Sequence, residues 1–401
     1  MTAGETLALG PLDIASGRPI GLDPAAPALP SPARAGPPVR HLERAVLAAL
    51  ARPPCVVSFS GGRDSSAVLA LATRVARHEG MPLPVPVTLR FSRAPEADEN
   101  DWQERVVAHL GLPDWIRLEF DDELDLVGPV ASEVLLRHGL VWPPNSHFHV
   151  PVLDQARGGS VLTGIDGDGL LASWRWARPA AVLGRRVPPR RRDLLRVGLA
   201  LSPQPVRRLQ TRWSASPDIS WLQPQARRTL VRRWTAVSAA EPVRWDARVR
   251  WWAQLRSVRM VQQTFALMAA HAGVLAVHPL ADPSFLAAIA GAGGRWGLGD
   301  RTAVMRSLFG DILPEEVLQR RTKARLDGPF WNRHSRSFVA GWHGEGVDRS
   351  IVDTDSLRAI WSTAVPNALT STLLQSAWLR SAAGPGRSAG GQAPQAVPDE
   401  R

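Results

Sequence analysis

The side chains best suited to gripping a chain of phosphates sit together near residue 60. Ser60-Gly61-Gly62-Arg63-Asp64-Ser65-Ser66 offers three hydroxyls, two glycines and one carboxylate in seven residues. It follows the apolar run Cys55-Val56-Val57-Ser58-Phe59 and opens an Ala/Leu-rich stretch from Ala67 to Ala76. That order predicts strand, loop and helix. Such a loop aims free backbone N–H groups at one point before a helix N-terminus, where the helix dipole also favours negative charge. Gly61 and Gly62 let the backbone approach a ligand closely, and Ser60, Ser65 and Ser66 add hydroxyl donors. Asp64 is out of place beside a bare phosphate but not beside one that carries magnesium. In a plain Ser/Gly turn it would serve only as a helix cap.

Two further stretches carry candidate chemistry. Thr163-Gly164-Ile165-Asp166-Gly167-Asp168-Gly169 is glycine-rich and acidic, and it also follows an apolar run, Ser160-Val161-Leu162-Thr163. As a calcium loop it fails, because Leu171 stands where the turn glycine belongs and Ala177 where the closing glutamate belongs. As a loop facing Asp64 it would complete a magnesium site; an isolated DGDG is otherwise a Gly/Asp turn. Lys323 is the only lysine, against 47 arginines, and the chain has no tyrosine but 16 tryptophans. Under such a bias arginine replaces lysine wherever either serves. Lys323 is therefore a candidate for a task that needs a compact ammonium, with chance survival as the alternative. A lone lysine in Arg-Arg-Thr-Lys-Ala also excludes a Gly-Lys-Ser/Thr phosphate loop. His147 and His149, with Asp154 beyond, lack a third ligand at zinc spacing.

The elements that must position these residues follow from periodicity. Strands are expected at Cys55–Phe59, Val85–Phe91, Trp115–Phe120 and Ser160–Thr163. Helices are expected at His41–Arg52, Asp98–Leu110, Asp122–His138 and Val150–Arg157. Short apolar strands alternating with helices predict an α/β, Rossmann-like parallel sheet with helices on both faces, followed by a mainly helical C-terminal part. Ligands of such sheets bind beyond the strand C-termini, which brings the two glycine-rich loops to one site. Residues 1–40 read as an extended, partly disordered arm with a short strand near Leu7–Leu12. Residues 41–382 form the catalytic unit, with a nucleotide-binding core at 41–175 and a helical part at 222–379, and 383–401 reads as a disordered tail. Ala240–Ala272 reads as one or two long helices. There is no membrane-length apolar run and no basic, apolar leader, and the single cysteine, Cys55, forms no internal disulfide. These features predict a cytoplasmic location.

The first loop resembles the SGGxDSS pyrophosphate loop of the ATP pyrophosphatases. With both serines it is most similar to the synthetase domain of class B asparagine synthetases and their relatives, the β-lactam synthetases and lasso-peptide cyclases. Thr163-Gly164 and Asp168 resemble that family's second motif, near SGEGADE. Ala97-Asp98-Glu99 with Val107-Ala108-His109-Leu110-Gly111 resembles its DE…A..HLG segment, and Val277-His278-Pro279-Leu280-Ala281-Asp282 its VPFLD turn. Lys323 falls on the family's active-site lysine, after a leucine-proline and a short helix. The resemblance spans roughly residues 40 to 345. It implies ATP as substrate and Mg2+ as cofactor, with Ser60, Gly61, Gly62, Ser65 and Ser66 on the pyrophosphate. It further implies Phe59, Phe91, Thr163 and Gly164 around the adenosine part, Asp64 and Asp168 on the metal, and Lys323 as the catalytic residue.

The implied activity is amide-bond formation. A carboxylate is activated as an acyl-adenylate with release of pyrophosphate, and ammonia or an amine then attacks. The carboxylate belongs to a small molecule or a peptide, and a separate ammonia source or a peptide-maturation partner is implied, because the family's N-terminal glutaminase domain has no counterpart here. Two departures stand out. Ile165 occupies the place of the family's glutamate, or of the β-lactam synthetases' tyrosine, and Gly169 that of the glutamate after the metal aspartate. An isoleucine takes no proton from an ammonium nucleophile, so another group serves, with His147 and His149 near the family's substrate pocket among the candidates, or the nucleophile arrives neutral, or the enzyme is impaired. Competing readings are a tRNA-modifying pyrophosphate-loop enzyme, favoured by the net charge of +11, and a non-catalytic ATP-binding partner protein. The arginine-dense run from Arg185 to Arg212 reads as a solvated face, or as a dock for RNA or an acidic peptide, with Trp174 and Trp176 nearby as stacking aromatics.

Overall fold

The computed structural model describes residues 8–31, 36–92, 94, 99–171, 174–214, 218–320, 322 and 327–382. A five-stranded parallel sheet organises the chain: β1 (Cys55–Ser58), β2 (Val85–Phe91), β3 (Ile116–Phe120), β4 (Ser160–Thr163) and β5 (Leu275–Val277). Their spatial order is β3-β2-β1-β4-β5. The order reverses direction between β1 and β4, which creates a crevice at the strand C-termini. Ser58 pairs in register with Thr163, so the loops that follow β1 and β4 leave the sheet side by side.

In chain order the helices are α1 (Pro11–Ser16), α2 (Pro38–Leu50), α3 (Arg63–Glu79), α4 (Asn100–Leu110), α5 (Pro129–His138), α6 (Val150–Gln155) and α7 (Gly167–Leu171). Then come α8 (Ala177–Leu183), α9 (Arg191–Leu201), α10 (Gln204–Ser214), α11 (Pro224–Ala240), α12 (Trp245–Ala253), α13 (Arg256–His271) and α14 (Pro283–Gly293). The last are α15 (Arg301–Phe309), α16 (Glu315–Gln319), α17 (Asp327–Phe330), α18 (Arg333–Ala340), α19 (Thr354–Trp361) and α20 (Ser371–Ala382). Alternation along the strands divides the core. Val57 and Leu162 point to the side covered by α2 and α3, while Val56 and Val161 point to the side covered by α5, α6 and α13. The helix α3 is buried on most of its circumference from Asp64 to Ala76, which accounts for its many alanines. No helix among the described residues is long and apolar enough to cross a membrane.

A separate cluster binds α1 to the C-terminal helices through Trp221, Trp331, Trp342, Trp361 and Leu374, and the Trp221 indole N–H donates to the Ala15 carbonyl at 2.8 Å. Leu7 lies outside the described residues, and the strand expected near it is replaced by α1, with Pro11 at its first turn. The helix expected over Asp122–His138 begins only at Pro129. The fully buried Asp125 carboxylate explains the delay. It accepts from Val127 N–H (3.0 Å), Asn332 N–H (2.7 Å) and the Ser335 hydroxyl (2.5 Å), and these bonds hold the preceding segment in turns. Ala240–Ala272 is two helices, broken where Leu255 bridges to Leu22.

Candidate active site

The loop after β1 is a prefolded cradle. Ser65 Oγ accepts from Ser60 N–H at 3.3 Å, lies 3.1 Å from Ser60 Oγ and donates to the Gly62 carbonyl at 3.1 Å. Ser60 Oγ accepts from Gly62 N–H at 3.3 Å. The Ser60 and Gly61 carbonyls are engaged from outside, by Gln103 Nε2 at 3.2 Å and Arg320 Nη1 at 2.7 Å, which fixes the loop's peptide planes. Gly61 has φ of 80°, and a β-carbon there would stand 2.8 Å from Gln103 Cγ, so both backbone and space require glycine. Ser66 is fully buried, and its hydroxyl oxygen has no partner among the described residues.

The loop after β4 lies directly on the first. A β-carbon on Gly167 would come within 2.4 Å of Asp64 Cγ, so no side chain fits at this contact. Asp64 and Asp168 converge on one cation. Arg301, at the start of α15, donates from Nη2 to both Asp64 carboxylate oxygens (2.7 and 2.8 Å), and its Nη1 lies 2.5 Å from Asp168 Oδ1. Burial pushes the Asp64 carboxyl above its usual range, opposed by the Arg301 charge. Two carboxylates from neighbouring strand ends flanking one cationic position are a donor set that suits magnesium, with phosphate and water completing the shell. Asp64 and Asp168 therefore fit the metal that the second motif implies.

Phe59 and Phe91 line one apolar slot beside Ser60, together with Gln103, Phe148 and Phe330. Phe330 meets Phe91 edge-on with ring centroids 5.9 Å apart. A slot of this kind takes a flat ring system. Thr163 Oγ1 accepts from Ile165 N–H at 3.2 Å and lies 2.6 Å from Nδ1 of His278, whose buried ring has its pKa lowered to about 4. Gly164 packs against the Asp64–Ser65 backbone.

Lys323 lies outside the described residues, as do Ala97 and Asp98, but the chain on both sides of Lys323 is tied to the cradle. Arg320 bonds the Gly61 carbonyl, pairs with the buried Glu99 and lies over Trp102 with its guanidinium carbon 4.8 Å from the ring centroid. Phe330 closes the apolar slot, and its carbonyl accepts from Leu126 N–H at 2.9 Å.

His147 and His149 occupy a 3-10 turn, Ser146–His149, rather than a strand. His147 Nε2 donates to the Leu124 carbonyl at 2.8 Å, and burial lowers its pKa. His149 is buried between Phe148 and Phe265, its pKa lowered to about 3 by desolvation and by the neighbouring histidines, and its Nδ1 has no partner among the described residues. Burial disfavours the charged form of both rings and weakens them as bases for an ammonium nucleophile. The carboxylate next to Ile165 is Asp166. It sits at φ of 71°, accepts from Gln262 Nε2 at 2.9 Å, and burial pushes its pKa up to about 6.

Sequence reasoning missed Arg301, Arg320 and Gln103. The two arginines carry no distinguishing signal among 47. Gln103 follows Glu99 by four residues at the start of α4, a same-face spacing that would have singled it out.

The family described as asparagine synthase matches residues 40–380, beyond the span to about 345 that the motifs indicate. No curated protein matches the sequence significantly. Among solved structures, an NAD+ synthetase from Burkholderia pseudomallei aligns at 15% identity over 57% of this chain and 88% of its own, with a TM-score of 0.22.

Proposed function

Because the chain belongs to the asparagine synthase family, we propose that it is an ATP-dependent carbon–nitrogen ligase that adenylates a carboxylate and passes the acyl group to an amine or ammonia. The observation that carries this reading is the convergence of Asp64 and Asp168 on one cation position beside the serine-glycine cradle. In this reading Ser60, Gly61, Gly62, Ser65 and Ser66 bind the β- and γ-phosphates, and Phe59 and Phe91 flank the base. Asp64 and Asp168 would hold magnesium, which neutralises charge on the departing pyrophosphate. The substrate carboxylate oxygen bonds to the α-phosphorus as the α–β bridge breaks. The amine nitrogen then bonds to the acyl carbon, the bond from that carbon to the phosphate oxygen breaks to release AMP, and the amine's proton passes to the departing phosphate. Lys323 donates to the oxygens on which charge develops. Holding the two substrates in line supplies the remaining acceleration. The acid belongs to a small molecule or a peptide.

Hydroxylamine in place of the amine tests the activation step. A panel of free amino acids and peptide acids with Mg·ATP is expected to yield a hydroxamate from the cognate acid, lost in Asp168→Ala. ATP consumption with a cognate acid but no hydroxamate would sink the acyl-adenylate.

A further inference from the structure

Ten large hydrophobic side chains are exposed among the described residues, and five of them belong to α9 and α10: Leu194 (68%), Leu195 (83%), Leu201 (66%), Val206 (50%) and Leu209 (58%). Over residues 185–212 the chain carries nine arginines and one carboxylate, Asp193, which is engaged by Arg178 at 2.6 Å. A merely solvated arginine face has no reason to carry leucines. Exposed apolar side chains concentrated in one stretch of chain mark a contact surface.

The helices α10 and α11 pack against each other and leave a groove of about 980 Å3 between them. Leu209 and Val231 supply its apolar surface. Arg208 and Arg212 line it from α10, Arg228 and Arg232 from α11, and no carboxylate is among its lining residues. Those four arginines make no ion pair or side-chain hydrogen bond among the described residues. The groove is rigidly mounted. Arg175 donates to Thr211 Oγ1 at 2.7 Å, Arg207 donates to the Glu241 carbonyl at 3.2 Å, and both guanidinium groups lie over Trp176.

We propose that the groove between α10 and α11 docks an acidic peptide segment with apolar anchors, which places its apolar side chains on Leu209 and Val231 and its carboxylates against the two arginine pairs. Charge complementarity selects an acidic partner, and Leu209 with Val231 selects one with apolar anchors. Single-stranded RNA fits less well. It needs open aromatic faces, yet Trp174 and Trp176 are 6% and 2% exposed. A bilayer fits less well because the arginines line a groove between two helices rather than one face of a single amphipathic helix. The groove shares no lining residue with the apolar slot beside Ser60.

Fluorescence anisotropy with the full chain tests it. The probes are labelled synthetic peptides with leucine on one helical face and glutamate on the other, the same peptides with lysine for glutamate, an oligouridylate, and phosphatidylglycerol vesicles. The Glu/Leu peptides are expected to bind, to weaken as salt rises, and to lose about tenfold or more in affinity in Arg228→Glu/Arg232→Glu. Leu209→Ser is expected to weaken them as well, while both variants keep the wild-type melting temperature. Failure of the Glu/Leu peptides to bind, equal binding by the charge-reversal variant, or tighter binding of the oligouridylate or the vesicles would overturn the proposal.

Discussion

Replacing Arg301 by glutamine removes the cation that joins the two acidic loops. The side chains of Asp64 and Arg301 are 12% and 18% exposed, whereas that of Asp168 is 50% exposed. Removing one partner of a fully buried pair costs about 3–5 kcal/mol, and an exposed pair contributes about 1 kcal/mol or less. The Asp64 half is of the first kind and the Asp168 half of the second, and protonation of Asp64 caps the loss, because burial already pushes its carboxyl upward. The expected cost of Arg301→Gln in EDTA at neutral pH is therefore about 2 kcal/mol, or a fall of roughly 2–3 °C in Tm for a chain of this size. The loss shrinks as the pH falls and Asp64 takes its proton. In the variant the guanidinium no longer lies between the two carboxylates, and Mg2+ at ten times its dissociation constant returns about 1.4 kcal/mol. In the wild type the ion must first displace the guanidinium, so Mg2+ without nucleotide raises Tm little. Scanning fluorimetry of both proteins, in EDTA and in a magnesium series, reads these four conditions. Equal melting of variant and wild type in EDTA, or an equal magnesium response, would refute the shared cation position.

Other perturbations separate catalysis from stability. Lys323→Ala is expected to lower kcat by about 100-fold or more with little change in Tm, and Lys323→Arg to stay impaired; full turnover in the arginine variant would remove lysine's special role. His149 is buried neutral with a folded pKa of about 3, so the unfolded chain binds the extra proton and stability falls as pH drops below about 6.5. His149→Phe, which keeps the stacking, is expected to regain about 2 kcal/mol at pH 5 and nothing at pH 8, measured by urea unfolding at the two pH values. Asp125→Ala strands the Asn332 and Ser335 N–H groups and is expected to cost about 3 kcal/mol while loosening Phe330 at the apolar slot, so Tm and the affinity for a nucleotide analogue fall together.

Much of the sheet was legible because it is coded locally. Val85–Phe91 follows Pro84, and Ser160–Thr163 lies between Gly159 and Gly164; both form strands with those limits. The site loops were legible because close approach leaves no room for a β-carbon at Gly61, against Gln103, or at Gly167, against Asp64. What escaped was coded by tertiary partners. Strand β5 is three residues long and exists because β4 offers an edge. The late start of α5 depends on Asp125 finding donors more than 200 residues away. Arg301 reads from the sequence as one arginine among many, and only the approach of α15 to the two loops gives it a role.

The central claim is that this site splits ATP between its α- and β-phosphates in order to activate an acid. Chromatography of the nucleotides after incubation with Mg·ATP, a panel of amino acids and peptide acids, and ammonium tests it most directly, with each component omitted in turn. AMP and pyrophosphate, formed only with a cognate acid and lost in Asp168→Ala, are the predicted products. ADP and phosphate in their place, or AMP formation untouched by Asp168→Ala, would contradict it.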